Sequence, residues 1–418
     1  MNSSSLSRLI NIGLRAMTLG SKFLLIFFLA RFLAPAELGL YGLLAATIGY
    51  ALYLLGLDFY TYTTREMLKR SRNDWGALLK NQGALTLILY VLFLPPLLFL
   101  FVLGLLPWYL ASWFLFILIL EHLNQELMRL LIAASEQLAA SFVLFLRSGA
   151  WVIIAIAVMY LDPVQRNLTT VLSAWALGGV AGFIYAAVKI SSMRIGSWGR
   201  QVDWSWIKMG VCVALPLLVA TLAIRGLFTL DRYWLESLAG LDVLGAYVLY
   251  MGLASAMVAF LDAGVFAFIY PALITSYNQA DHCGYKRNLK KLLLQTVILS
   301  IGFSIGALAL LEPLLDWLNK PLYMEHRELF SWGLLAMFLY AIGMVPHYAL
   351  YAQQQDRPII HSHLLSLVVF TLSTWLFSQM WASQAVPMGL CVAFFTILVW
   401  KLAACFILTP EPFRLTKP

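Results

Sequence analysis

Apolar residues run along this chain in blocks of about twenty, the length that crosses a hydrocarbon layer of about 30 Å as helix. Short polar stretches separate the blocks. The pattern predicts about twelve spans. Six fill the first half, near 8–33, 37–66, 77–104, 108–134, 137–160 and 168–189. Six follow, near 205–230, 241–275, 288–311, 327–353, 358–379 and 385–408. The longest irregular stretches fall near 190–204, 276–287 and 312–326. Pro95-Pro96, Pro216, Pro271 and Pro346 are expected to kink their helices.

The pattern repeats. Around Ala30–Met67 a helix closes in Arg31-Phe32-Leu33-Ala34-Pro35, and a second opens at Glu37-Leu38-Gly39-Leu40-Tyr41 and stays apolar to Asp58. Ser237–Ala272 repeats it: Gly245-x-Tyr247 answers Gly39-x-Tyr41, and Asp262 answers Asp58. A recurrence at half the chain length marks duplicated halves. The turn at Ala134-Ser135-Glu136-Gln137 also resembles Gln354-Gln355-Asp356-Arg357, a weaker echo. The expected organisation is a six-helix lobe at 1–190, a linker at 191–204, and a second lobe at 205–418. An even number of spans per half makes the repeats parallel.

Composition supports this. Of 418 residues 62% are hydrophobic and 11% charged, against about 25% charged in soluble domains. That leaves an integral membrane protein and no separate soluble domain. The first apolar run reads as a span and not as a cleaved leader. The net charge of +8 arises from loop lysines and arginines, so no nucleic-acid partner is implied. Twenty of the 28 basic residues, among them Arg8, Lys69, Lys286, Lys401 and Lys417, cluster at one set of span ends, which predicts that both termini are cytoplasmic. Cys212, Cys283, Cys391 and Cys405 are scattered and read as core residues. There is no phosphate-binding G-x-x-x-x-G-K-[ST] loop, no G-x-S-x-G and no H-E-x-x-H, so neither ATP-driven work nor enzymatic chemistry is expected.

Charged groups inside a bilayer cost about 2.5–3.5 kcal/mol each and normally face protein or water. Asn11, Arg15, Thr18 and Lys22 form one stripe on the first helix, with Arg8 a turn below. Arg225 and Arg232 lie seven apart on span seven, and Arg147 sits inside span five. Such cations suit an anionic phosphate headgroup; alternatively Arg15 and Arg232 reach to the interfaces and the rest pair locally. On span four His122, Glu126 and Arg129 share a face with Glu121 alongside, either a proton or cation relay or a self-satisfied patch. Asp58 and Asp262 suit either a gate between lobes or local pairing. His361 and His363 are two apart, so a helix points them apart and no metal site is expected.

Leu29-Ala30-Arg31-Phe32-Leu33-Ala34-Pro35 with Glu37-Leu38-Gly39-Leu40-Tyr41 resembles the opening of Wzx-type polysaccharide flippases. These belong to the multidrug/oligosaccharidyl-lipid/polysaccharide (MOP) exporter superfamily, which includes the MATE transporters. Leu230-Asp231-Arg232-Tyr233, Gly245-Ala246-Tyr247 and Pro271 resemble the same family in the second half. The resemblance implies an all-α membrane fold of two six-helix lobes in a V, related by a parallel pseudo-twofold repeat. It implies transfer of an undecaprenyl-pyrophosphate-linked oligosaccharide, such as an O-antigen repeat unit, across a bacterial inner membrane. The driving force would be a proton or sodium gradient, with no bound cofactor. Its partners would be the lipid-linked glycan, membrane lipids, a polysaccharide polymerase and a chain-length regulator. On this reading Arg15, Lys22, Arg31, Arg147, Arg225 and Arg232 form the cationic surface, and Asp58, Glu121, His122, Glu126 and Asp262 serve gating or ion coupling. The rivals are a MATE-type drug/cation antiporter and a membrane polymerase or transferase acting on lipid-linked sugars.

Overall fold

The computed structural model describes Ser3 to Leu415, without the side chains of residues 3–8 and Leu217; the Arg8 side chain and Lys417 therefore lie outside the described residues. All regular structure in the described residues is helical. In the first half these are α1 Ser3–Phe32, α2 Pro35–Gly56, α3 Tyr60–Leu68, α4 Trp75–Leu97, α5 Phe99–Val102, α6 Ala111–Ala133, α7 Gln137–Phe145, α8 Trp151–Leu161 and α9 Leu168–Ser191. There follow α10 Trp204–Leu261, α11 Ala267–Asn278, α12 His282–Leu318, α13 Pro321–Glu325, α14 Glu328–Ala352, α15 Asp356–Ser378 and α16 Ala385–Leu408.

Ten helical stretches of the described residues are long and apolar enough to cross a membrane. Two more emerge on inspection. The 23-residue α6 has the length, but Glu121, Glu126 and Arg129 lower its hydropathy. The stretch Leu218–Asn278 is 61 residues long and holds two spans, because α10 breaks at Gly240 (φ 83°, ψ 172°). The chain is a multi-pass membrane protein. Large apolar side chains are exposed on these helices, among them Val91, Phe99, Phe268, Leu294 and Trp375, as expected where helices in lipid satisfy their own backbone and need only apolar surface outside.

Three expectations about segments change. The span drawn over 37–66 ends at Gly56. Leu57 and Asp58 turn left-handed (φ 52° and 50°), and the Asp58 carbonyl accepts from the Thr61 N–H (3.1 Å) and hydroxyl (2.9 Å), starting α3 afresh. The stretches near 276–287 and 312–326 are largely helical. Asp281 caps α12, its Oδ1 accepting the Gly284 N–H at 2.8 Å, and Pro313 is carried inside that helix. Single π-helical turns, which insert one extra residue and often mark functional positions, occur at Leu146–Ala150 and Asp262–Phe266. They carry Arg147 and Asp262.

The chain forms two compact units, Met1–Leu222 and Ala223–Pro418. The division falls inside α10, so residues 191–204 and the first turns of α10 belong with the first unit. The reason is local. The Gly76 N–H donates to Gly196 O (3.0 Å), Lys80 Nζ to Arg200 O (2.9 Å) and the Asp203 N–H to Asn81 Oδ1 (3.0 Å). Phe59, Trp75, Leu78, Trp206 and Ile207 pack beneath this strap. At the opposite end Glu37 serves two helix starts, accepting from the N–H groups of Ala34 (3.2 Å) and Leu168 (3.0 Å). Both would otherwise be unsatisfied helix-end donors. In the second unit Tyr247, Tyr250, Phe330, Phe370 and Phe394 fill the core.

Candidate functional site

The densest polar cluster of the first unit is built on α6. Residues four and three apart recur on one helix face, so His122, Glu126 and Arg129 look the same way, as their spacing predicts. Arg129 donates to Glu126 Oε1 at 2.5 Å and lies over the Tyr60 ring at 3.5 Å. Gln82 of α4 donates to the second Glu126 oxygen, and Tyr90, eight residues further along α4, meets His122 Nδ1 at 2.8 Å. Asp58 stands close enough to add its charge to that of Glu126. The His122 ring is buried at 1% exposure, and its Nε2 has no hydrogen-bond partner among the described residues. Gly56 leaves room beside this nitrogen: a Cβ there would sit 3.5 Å from His122 Nε2 and 4.0 Å from Glu126 Oε1. Tyr60, Gln82, Tyr90, His122, Glu126 and Arg129 line a cavity of about 430 Å³ within the unit.

Glu121 faces the other way. Its carboxylate lies 3.4 Å from Arg147 and accepts the Trp175 indole N–H at 2.8 Å, while Arg147 also donates to the Glu121 carbonyl at 3.2 Å. Of the two readings of Arg147, a cavity cation or a locally paired group, the structure shows the pair. Arg147 sits in the π-helical turn Leu146–Ala150. Lys22 of α1, exposed along its side chain, feels the charges of both Arg147 and Glu121.

The remaining candidates separate. Arg15 Nε donates to Ser141 Oγ at 3.1 Å and Ser141 in turn to Asn11, so this part of the α1 stripe packs on α7. Thr18 is buried and bonds back to Leu14 O. Arg31 closes α1, half-buried. In the second unit Arg225 and Asp262 are both exposed and near enough to interact electrostatically. Arg232 is held locally: its N–H donates to Asp231 Oδ1 (2.7 Å) and its guanidinium to Phe228 O (2.8 Å). His361 is exposed and His363 buried, as their parity requires. No group of three or more possible metal ligands occurs among the described residues.

Sequence reasoning missed Gln82, Tyr90, Tyr60 and Trp175 as partners in these networks. Gln82 was within reach of the polarity argument, since Asn81-Gln82 interrupts the apolar run of α4. Tyr90, Tyr60 and Trp175 look like ordinary membrane aromatics until α6 is beside them.

No protein-family model matches the chain, and no curated protein does. Solved structures do match. An inward-facing multidrug resistance MATE family transporter of the MOP superfamily superposes over 95% of this chain and 97% of its own, with TM-score 0.77 at 12% identity. A MOP superfamily transporter from Pyrococcus furiosus, described as having a binding pocket of reverse polarity that suggests a different function, matches over 98% and 92% (TM-score 0.58, 14% identity). A Vibrio cholerae MATE transporter matches over 98% and 99% (TM-score 0.54, 13% identity). At such identities the likeness is one of fold, and the fold is that of MATE/MOP transporters.

Proposed function

We propose that this chain is a secondary-transporter-type flippase. It moves an undecaprenyl-pyrophosphate-linked oligosaccharide from the inner to the outer leaflet of a bacterial inner membrane, with both termini cytoplasmic. The observation that carries the reading is the sign of the exposed charge on the membrane helices. Arg15, Lys22 and Arg225 expose their side chains, whereas Glu121 and Asp231 are buried against their own partners. Asp262 is exposed as well but faces Arg225. Other exposed acids on the long helices stand toward helix ends, such as Glu312 and Asp316 in the last turns of α12, Glu312 there being 3.9 Å from Arg327. Phosphate oxygens match guanidinium and ammonium donors, so exposed cations at membrane depth suit an anionic headgroup while the polyprenyl chain stays in lipid. Aromatic side chains would stack on the sugars. The reverse polarity described for the Pyrococcus furiosus transporter supports the idea that this fold hosts pockets of different charge.

A second reading, a drug/cation antiporter, draws on the Glu126-bearing cavity of about 430 Å³. The deciding experiment is complementation of a strain lacking its own repeat-unit flippase, comparing wild type with Lys22→Ala and Arg225→Ala at matched expression. Restored surface polysaccharide with wild type and loss with both variants supports the flippase. Failure of wild type together with raised drug tolerance supports the antiporter. A change in the covalent structure of the glycan would instead indicate a polymerase or transferase.

A further inference from the structure

The second unit buries a lysine that the substrate reading does not use. Lys401 lies in the apolar α16 and is 2% exposed. Its amine nitrogen is 3.2 Å from His347 Nδ1 on α14 and 3.1 Å from His363 Nε2 on α15. The two imidazoles are parallel within 6°, their centroids 6.2 Å apart. No carboxylate stands within ion-pair distance of Lys401 among the described residues. The other titratable groups around the cluster are Cys405 of α16, whose thiol leans on Pro346 O, and Tyr348 and Tyr351 against the His347 ring. Tyr285 of α12 faces Cys405 in turn.

An ammonium has three donors and no acceptor, and a neutral imidazole offers one lone pair. Both lone pairs here point at one amine. A second proton on either ring would remove its lone pair and set two cations about 3 Å apart where the dielectric is low, which is strongly unfavourable. The cluster therefore has room for one excess proton and three nitrogens to share it. Lys401 and His363 are buried, whereas His347 is only half-buried, so the proton's entrance is through His347. The three nitrogens belong to three helices, and His347 follows Pro346, where α14 lacks a backbone donor. Gain or loss of the proton changes the bonds that tie α14 and α15 to α16.

We propose that Lys401, His347 and His363 form a one-proton binding site, and that this proton is the coupling ion of transport; the second half rests on the transporter reading above. The test has two arms. In the first, protein labelled with 15N-histidine in lipid nanodiscs is followed by NMR through pH, with His347→Gln and His363→Gln for assignment. In wild type the two imidazoles should pass through one shared transition, and Lys401→Met should move it by at least a tenfold change in proton affinity. Independent titration, no response to Lys401→Met, or no transition between about pH 5 and 9 overturns the site. In the second arm, a pH gradient at clamped potential should accelerate flipping by wild-type proteoliposomes several-fold. Lys401→Met should keep basal exchange and lose that acceleration. Equal acceleration of both, or of wild type by sodium alone, overturns the coupling role. If wild type moves no glycan lipid, the transport reading fails while the NMR arm still decides the proton site.

Discussion

Tyr247 donates its phenolic proton to Asp231 at 2.6 Å, although sixteen residues separate them within α10. On an uninterrupted helix sixteen residues span about 24 Å, so this single bond requires the chain to turn back at Gly240. Both side chains are buried, Asp231 at 1% and Tyr247 at 0% exposure. One Asp231 oxygen takes the Arg232 N–H on its own helix and the other takes the returning Tyr247. Tyr247→Phe should cost about 1–3 kcal/mol, since it leaves a buried carboxylate oxygen without its donor. Asp231→Asn retains an acceptor for the phenol and should cost less. Thermal unfolding in detergent checks the order; an unchanged Tm for Tyr247→Phe would show that the hairpin does not depend on the bond.

Gly240 permits the turn. Its φ of +83° disfavours any residue with a Cβ, yet nothing lies within 4 Å of where that Cβ would sit. Gly240→Ala should therefore destabilise by conformational strain alone, about 1–3 kcal/mol. Gly240→Asn should cost no less, because ψ 172° lies outside the left-handed helical region that asparagine tolerates. Equal Tm values for wild type and Gly240→Ala would refute the strain argument.

The Glu121–Arg147 pair sets a different expectation. Removing one partner of a buried pair strands the other charge, at a cost of about 3–5 kcal/mol. Arg147→Met should be severe, because Glu121 would keep the Trp175 indole and the charge of Lys22, which is not within ion-pair distance of it, but no paired cation. The double variant Arg147→Met with Glu121→Gln should recover much of the loss. Additive losses in a double-mutant cycle would show that the two groups act independently.

How much of this was legible in the sequence follows from what each signal reports. Apolar runs reveal spans because the bilayer sets their length. Spacing revealed that His122, Glu126 and Arg129 share a face, but it could not reveal that Glu121 meets Arg147, since periodicity gives a face and not the helix beyond it. The repeated turn was nearly found. Matching residues by type pairs Ser135 with Gln355, whereas the left-handed residues are Ser135 (φ 65°) and Gln354 (φ 58°). Each is followed by the same closing bond at 2.9 Å, Glu136 N–H to Leu131 O and Gln355 N–H to Leu350 O. That geometry belongs to the backbone, so side-chain polarity missed it by one residue. The break at Leu57–Asp58 was hidden because neither left-handed residue is a glycine. Position along the chain groups Lys401 with the cations at span ends; its burial against His347 and His363 comes from two other helices.

The strap between residues 192 and 203 offers the cleanest local test. Gly76 N–H meets Gly196 O at 3.0 Å, and a Cβ on Gly76 would run into that same carbonyl and approach the Trp198 ring at 3.0 Å. The obstacle is backbone, so a side-chain rotation cannot relieve it. Gly76→Ala should lift the strap from α4 and loosen the bonds that Lys80 and Asn81 make to it. Arg194 and Arg200 are already exposed, and release of the strap backbone lets trypsin cleave after them. Cleavage tracks the population of the open form when opening is fast, so a loss of about 1.4 kcal/mol would appear as roughly tenfold faster nicking. Gly83→Ala on the same helix is the control, because nothing lies within 4 Å of its Cβ position. Equal cleavage rates for wild type, Gly76→Ala and Gly83→Ala would mean that the strap is not held at Gly76.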